Sequence, residues 1–218
     1  MTGLKAGFCV SGNGSLFRAA VRHREALSID PRLVVTETKA SPDLEEFCSQ
    51  NGLRCVRLDP ADRPAFDREL TRVLIEAELD LIALTFDRVL PAEVVRHYAG
   101  RIINVHPALL PAFIGMRGME RTLASGARFG GATVHDVVDE VDAGAIIAQA
   151  VVATIPGETL ADYGRRVYRL LEPMFLQVMA WYAEGRVERD GGGRIVVRDA
   201  RYGSLPVSPA LERFEPGE

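Results

Sequence analysis

The stretch Arg101-Ile102-Ile103-Asn104-Val105-His106-Pro107-Ala108-Leu109-Leu110-Pro111 begins as a strand and ends as a loop, and that change of character decides the fold. Ile102, Ile103 and Val105 are apolar and β-branched, as a short buried strand requires, and Pro107 then removes a backbone donor and ends the ladder. Asn104 and His106 therefore fall at a strand's carboxyl end, two positions apart and on one face. In open α/β sheets the ligand crevice lies outside those carboxyl ends. An amide and an imidazole converging there offer hydrogen-bond donors to a developing oxyanion and one group that titrates near neutral pH. The plain alternative is a histidine that only hydrogen-bonds its own loop.

Toward the amino terminus, strand and helix patterns alternate. Leu79 to Leu84 is a near-continuous apolar run suited to a parallel strand covered on both faces, and it ends in Thr85-Phe86-Asp87-Arg88. A short helix from Pro91 to Tyr98 leads from there to the Asn104/His106 strand. Before it, Arg63 to Ala77 carries Phe66, Leu70, Val73, Leu74 and Ala77 at helical spacing. Leu53 to Leu58 and Leu33 to Val35 read as strands on either side of a helix from Asp43 to Asn51, which Gly52 stops. Leu4 to Val10 is the first strand, followed by Ser11-Gly12-Asn13-Gly14-Ser15 and a helical pattern through Phe17, Ala20 and Val21. The alternation predicts an α/β fold of Rossmann-like type, with a mostly parallel central sheet, right-handed crossovers and helices on both faces. The glycine loop has two readings. Its glycines can turn N–H groups toward a phosphate or carboxylate at a helix amino terminus, or can simply reverse the chain. It is not a Walker loop, because no G-K-[ST] follows.

Toward the carboxyl terminus, Phe113 to Gly118 reads as a loop and Met119 to Ser125 as a short helix. Gly130-Gly131 opens a hairpin whose first strand, Ala132 to Val138, sets Thr133, His135 and Val137 on one face. The turn Asp139-Glu140-Val141-Asp142-Ala143-Gly144 leads to a second strand, Ala145 to Ala153, and an acidic turn is ordinarily just a solvated one. Thr159 to Glu184 is the longest helical pattern, with Pro173 marking a kink, and Gly191 to Gly193 predict a small C-terminal hairpin between Val187 and Val197. One domain over residues 1–204 is expected, with residues 205–218 a frayed tail.

The chain has 218 residues, 47% of them hydrophobic and 26% charged, a balance that supports a sizeable core and excludes extended disorder. A net charge of −4 argues against binding driven by nucleic-acid phosphates. Cys9, Cys48 and Cys55 have no C-x-x-C or zinc-type spacing and read as free thiols of a reducing compartment. With no signal-peptide pattern and no apolar run long enough for a bilayer, a cytoplasmic protein without a membrane partner is expected.

The set Ser11-Gly12-Asn13-Gly14-Ser15, Asn104-Val105-His106-Pro107-Ala108-Leu109-Leu110-Pro111, Thr133-Val134-His135, Asp139-Glu140-Val141-Asp142-Ala143-Gly144-Ala145-Ile146-Ile147 and Gln149 resembles the glycinamide ribonucleotide transformylases, folate-dependent formyltransferases. The resemblance runs in order over most of the chain. It implies Asn104, His106 and Asp142 as the catalytic triad, and 10-formyltetrahydrofolate as co-substrate, with no metal. It places the folate against Phe86, Asp87, Arg88, Val89 and Leu90 and the turn Val141, Ala143, Gly144, Ala145 and Ile146, and the acceptor's anion on Ser11, Gly12, Asn13, Gly14 and Ser15. The implied partner is a small amine acceptor, and the implied state a monomer or homodimer.

Departures from the family pattern concern the acceptor. Leu16-Phe17 replaces Asn-Leu, Thr85-Phe86-Asp87-Arg88 replaces Gly-Phe-Met-Arg, and Ile114-Gly115-Met116-Arg117-Gly118-Met119 replaces Pro-Gly-x-His-x-His. Leu171 stands where the family keeps a ribose-contacting Glu, with Glu172 beside it. The expected function is thus N-formylation of a small, anionic primary amine other than glycinamide ribonucleotide, the alternative being the purine-biosynthetic transformylase itself. A formyltetrahydrofolate hydrolase would carry an extra amino-terminal domain for which Met1-Thr2-Gly3 leaves no room, and a methionyl-tRNA formyltransferase a further RNA-binding domain. A non-catalytic folate-binding protein would not need Asn104, His106 and Asp142 together.

Overall fold

The structure is a computed structural model that describes residues 3–216. The chain divides into two compact units, one ending at Asn104 and the other beginning at Val105.

The first unit alternates strand and helix: β1 (Leu4–Val10), α1 (Ser15–Arg22), α2 (Arg24–Leu27), β2 (Ile29–Glu37), α3 (Asp43–Gln50), β3 (Arg54–Leu58), α4 (Arg63–Glu76), β4 (Leu81–Thr85), α5 (Ala92–His97) and the first residues of β5 (Ile102–His106). Its strands lie in the order β5-β4-β1-β2-β3 and every pairing is parallel. The apolar runs make this possible: Phe8, Val10, Leu33, Val34, Val35, Leu81 and Ile82 are buried, as strands covered on both faces must be. The register aligns Val10 with Thr36 and Thr85, and Leu84 with Asn104, so the carboxyl ends of these strands form one edge. Ser11, Glu37 and Phe86 follow at that edge. α4 starts where Asp62 accepts from Ala65 N–H at 3.0 Å with Pro64 in the first turn, and Tyr98 Oη donates to the Leu74 carbonyl at 2.7 Å, tying α5 to α4.

The second unit contains the end of β5, α6 (Gly118–Ala124), β6 (Phe129–Asp136), β7 (Ile146–Ala153), α7 (Leu160–Ala183), the hairpin β8 (Val187–Arg189) and β9 (Ile195–Val197), and β10 (Val207–Ser208). β10, β7 and β6 are antiparallel neighbours, and β8 pairs with β9. α7 packs on β6 and β7 through one face, with Tyr163, Val167, Leu171, Met174, Val178 and Trp181 all buried. Thr159 caps it, accepting from Asp162 N–H at 3.1 Å, and the helix continues through Pro173 without a break. Gly131 is obligatory in β6: at φ 151° a Cβ there would lie 1.8 Å from the Ala150 carbonyl oxygen.

The tail expected to fray from residue 205 is corrected by the structure. Val207 and Ser208 pair with Ala150 and Gln149, Val207 and Ala210 are buried, and Gln177 Oε1 accepts from the N–H groups of Glu212 and Arg213 at 3.0 Å each. Three prolines in the last fourteen residues suggested a chain unable to pair, but β10 is an edge strand, where missing donors are tolerated. Among the described residues no helix is long and apolar enough to cross a membrane.

Candidate active site

In the second unit the end of β5 delivers His106, whose side chain is almost fully buried. Its Nε2 lies 3.0 Å from the Phe113 carbonyl oxygen, and since a carbonyl can only accept, Nε2 carries a proton. Its Nδ1 faces Asp142 Oδ2 at 3.3 Å. His135, on β6, repeats the arrangement: Nδ1 sits 2.7 Å from the Asp136 carbonyl oxygen and Nε2 faces Asp142 Oδ1 at 3.5 Å. One carboxylate thus stands between two imidazoles, each oriented by a backbone carbonyl on its far side. Gly115 N–H donates to Asp142 Oδ2 at 2.8 Å, so the loop after Pro111 holds both the acid and, through Phe113, the base.

The electrostatics follow from these contacts. Asp142 is held down to about 2, first by its contact with His135 Nε2, then by Gly115 N–H and the nearby charge of His106, against the cost of burial. Burial depresses the pKa of His106 below its ordinary value, with His135 and Arg121 acting the same way, while Asp142 and the Phe113 carbonyl pull it up without reversing the sign. At neutral pH the ring is mainly neutral with its proton on Nε2. A second proton enters at Nδ1, facing Asp142.

Local sequence builds this geometry. Thr133 Oγ1 donates to the Ala108 carbonyl at 2.8 Å and accepts from Leu110 N–H at 3.1 Å, and Gln149 Nε2 donates to the Leu110 carbonyl at 2.8 Å, pinning the Pro107–Pro111 loop to β6 and β7. Asp142 takes φ 54°, a left-handed conformation that Asp tolerates better than most residues. Gly144 lets the turn close, since a Cβ there would lie 1.8 Å from the Asp136 carbonyl oxygen. Gly118 lets α6 approach the imidazole, where a Cβ would stand 3.3 Å from His106 Nε2. Along the turn, Val141 and Ile146 are exposed apolar side chains on either side of Asp142 in the chain. Ala143 is exposed, whereas Gly144 is buried and Ala145 half-buried.

The first unit holds the other predicted residues. Asn104 is half-buried and two positions before His106 on β5, in register with Leu84. Gly12 and Gly14 take φ 64° and 66°, conformations that glycine reaches freely, and Ser41 N–H donates to the Gly12 carbonyl at 2.8 Å. Asn13 Oδ1 accepts from Ser15 N–H at 3.2 Å, so the loop runs directly into α1, whose first-turn amides point out of the helix end. At the end of β4, Phe86 stacks on Phe66 with ring centres 6.4 Å apart and Val89 is exposed, but Leu90 is buried as a packing residue. Arg88 is already engaged: its Nε and Nη2 donate to Glu37 Oε2 at 2.9 and 2.6 Å. Ser11 Oγ also contacts Glu37, at 3.4 Å, while accepting from Asp87 N–H at 3.1 Å.

Four participants were not legible as such in the sequence. His135 was legible only as one face of a strand; the signal lay in His135 and Asp142 bracketing a tight turn. The Phe113 carbonyl and Gly115 N–H are backbone groups with no sequence signature. Glu37, two residues beyond the predicted strand Leu33 to Val35, ends β2 and is buried.

A model of the family described as formyl transferase matches residues 4–179. The chain belongs to the formyl transferase family. This folate-dependent formyltransferase is 33% identical over 184 residues to the phosphoribosylglycinamide formyltransferase of Escherichia coli K12, covering 82% of this chain and 87% of that protein. It is 34% identical over 184 residues to the trifunctional purine biosynthetic protein adenosine-3 of Drosophila melanogaster, covering 81% of this chain but 14% of that protein. Among solved structures, glycinamide ribonucleotide transformylase 1 from Symbiobacterium toebii superimposes with a TM-score of 0.82 at 30% identity, covering 90% of this chain and 94% of the other.

Proposed function

We propose that this formyltransferase moves a formyl group from 10-formyltetrahydrofolate to the primary amine of a small acceptor that carries an anionic group. The observation that carries the reading is the Asp142 carboxylate set 3.3 Å from the imidazole of His106 in a chain of this family. The formyl donor supplies an activated one-carbon unit. Asn104 and the Nε2–H of His106 would donate to the formyl oxygen as negative charge develops on it, the Phe113 carbonyl giving way. Asp142 is ionised above pH about 2, so it favours the imidazolium and would relay the proton lost by the attacking amine, directly or through water, to the departing folate nitrogen, whose bond to the formyl carbon breaks as the new C–N bond forms. His135 would position Asp142. Val141, Ala143, Ala145 and Ile146, with Phe86 and Val89, would hold the folate, and the glycine loop from Ser11 to Ser15 the acceptor's anion. The formyltransferase domain would extend to residue 204 or beyond, since β10 completes the sheet of the second unit.

Two acceptors fit. Glycinamide ribonucleotide is the one for which the similar proteins are named, and overall similarity favours it. A different small amine is favoured by Leu171, which is fully buried in α7 where the family pattern has a carboxylate for ribose hydroxyls. Glu172, half-buried beside it, is the group that could restore that contact. The test is formyl transfer from 10-formyltetrahydrofolate to a panel of amines, with His106→Ala as control. Transfer that His106→Ala lowers by at least ~10²-fold supports the reaction, and its absence with every amine overturns it. An efficiency on glycinamide ribonucleotide of about 10⁵ M⁻¹s⁻¹, an ordinary value for an enzyme on its own substrate, assigns that acceptor, and one ~10²-fold lower assigns the other.

A further inference from the structure

We infer that Glu37 is a specificity-determining residue: its buried carboxylate limits the charge that the glycine loop accepts, favouring an acceptor with a singly charged group, such as a carboxylate, over a phosphate dianion. The inference rests on the anion seat of the proposed function and concerns only the first unit.

Glu37 ends β2, next to the edge from which the Ser11–Ser15 loop emerges, and its side chain is only 4% exposed. A carboxylate this deeply desolvated needs partners, and it has them in Arg88 and in Ser11, the first residue of the loop. The pair has two effects. It joins the loop to the Phe86–Leu90 turn through Ser11 Oγ, which also takes the Asp87 N–H. It also removes Arg88 as an uncommitted cation.

The other guanidinium groups near the loop are likewise neutralised. Arg18, whose Nε donates to the Asn13 carbonyl at 2.9 Å, pairs with Asp43 at 2.9 Å. Arg57 donates to the Glu37, Ala40 and Ser41 carbonyls and pairs with Glu45 at 2.8 Å. Lys39, exposed on the adjoining turn, has no carboxylate partner among the described residues. A seat of backbone N–H groups with, among the described residues, one nearby cation that has no carboxylate partner matches one negative charge. A second charge would meet no further net cation there, because the Glu37 carboxylate cancels Arg88 in an interior that screens poorly.

The test is a titration of the whole chain with inorganic phosphate and with acetate at pH 8 and fixed low salt, read from the amide shifts of Gly12 to Leu16. In the native protein, acetate is expected to bind at least as tightly as phosphate. Glu37→Gln keeps the side-chain size and removes the charge. Because Coulomb energy scales with ligand charge, it should tighten phosphate by about tenfold and acetate by about threefold, while Glu37→Asp keeps the native preference. Gain of affinity is a readout that a merely structural role would not produce. Phosphate binding more than tenfold tighter than acetate in the native protein overturns the proposal without any variant, so a Glu37→Gln chain that fails to fold leaves it testable. Unchanged or weaker phosphate binding in a folded Glu37→Gln overturns it as well, as does the absence of loop shifts with either anion. The readout involves no turnover. A failure of formyl transfer with every amine would therefore refute the reaction and leave these anion affinities standing on their own.

Discussion

Two histidines share one carboxylate, and the direction of each hydrogen bond follows from what lies behind each ring. The Phe113 carbonyl fixes the His106 proton on Nε2, so Nδ1 can engage Asp142 only by taking a second proton. Asp142 is the main influence raising the His106 pKa against burial. Asp142→Asn should therefore move the His106 titration to lower pH and lower turnover by at least ~10²-fold, because the imidazolium loses its counter-charge. The imidazole Cε1–H signal followed against pH measures the first effect and steady-state kinetics the second. An unmoved titration would mean that the carboxylate and the ring are not coupled.

At the scale of elements, the β6–β7 turn depends on a backbone contact that no side chain can tolerate. With a Cβ of residue 144 only 1.8 Å from the Asp136 carbonyl oxygen, Gly144→Ala must displace the turn that carries Asp142. The expected cost is about 1–3 kcal/mol of stability together with a loss of turnover, read from denaturant unfolding and kinetics. A fully active, equally stable variant would show that the turn adjusts freely. The β10 edge makes a second prediction. Val207 is 3% exposed beside Ala150, so Val207→Asp would bury an unpaired carboxylate and cost at least about 2 kcal/mol, measured by the shift of the unfolding midpoint. No shift would mean that β10 is detached in solution.

For the molecule as a whole, acid is the condition that tests the site without a substrate. The Asp142 pKa is depressed in the fold, to about 2, so its contribution is complete above the ordinary carboxylate value and is lost as the pH falls toward 2. The difference corresponds to about 2 kcal/mol, and the side chain is only 8% exposed, so solvent screens it little. The depressed pKa of His106 acts with the same sign: its contribution is present above the ordinary histidine value and declines as the ring is forced to charge. Denaturant stability should therefore fall from pH 7 toward pH 2, and in Asp142→Asn the decline below the ordinary carboxylate value should be shallower while the histidine part above it is steeper. An identical pH profile in the variant would contradict the depressed carboxylate.

Much of this was legible in the chain because it is local. Alternating apolar runs and helical stripes place β1 to β5 and α7 within a few residues of their observed bounds, since a strand covered on both faces must be apolar throughout. The Asn104/His106 pair and the Asp142 turn could be read because strand periodicity and a proline stop are short-range rules. Partnership was not local. Sequence could not say that Asp142 reaches His106 with His135 on its other side, that Glu37 draws Arg88 away from solvent, or that Val207 returns to pair with β7. Each joins residues separated by tens of positions except the His135–Asp142 turn, and each is decided by which donors remain once the backbone ladders are complete. Buried polar groups take their partners from whatever the folded chain brings within about 3 Å, and only the tertiary structure settles that neighbourhood.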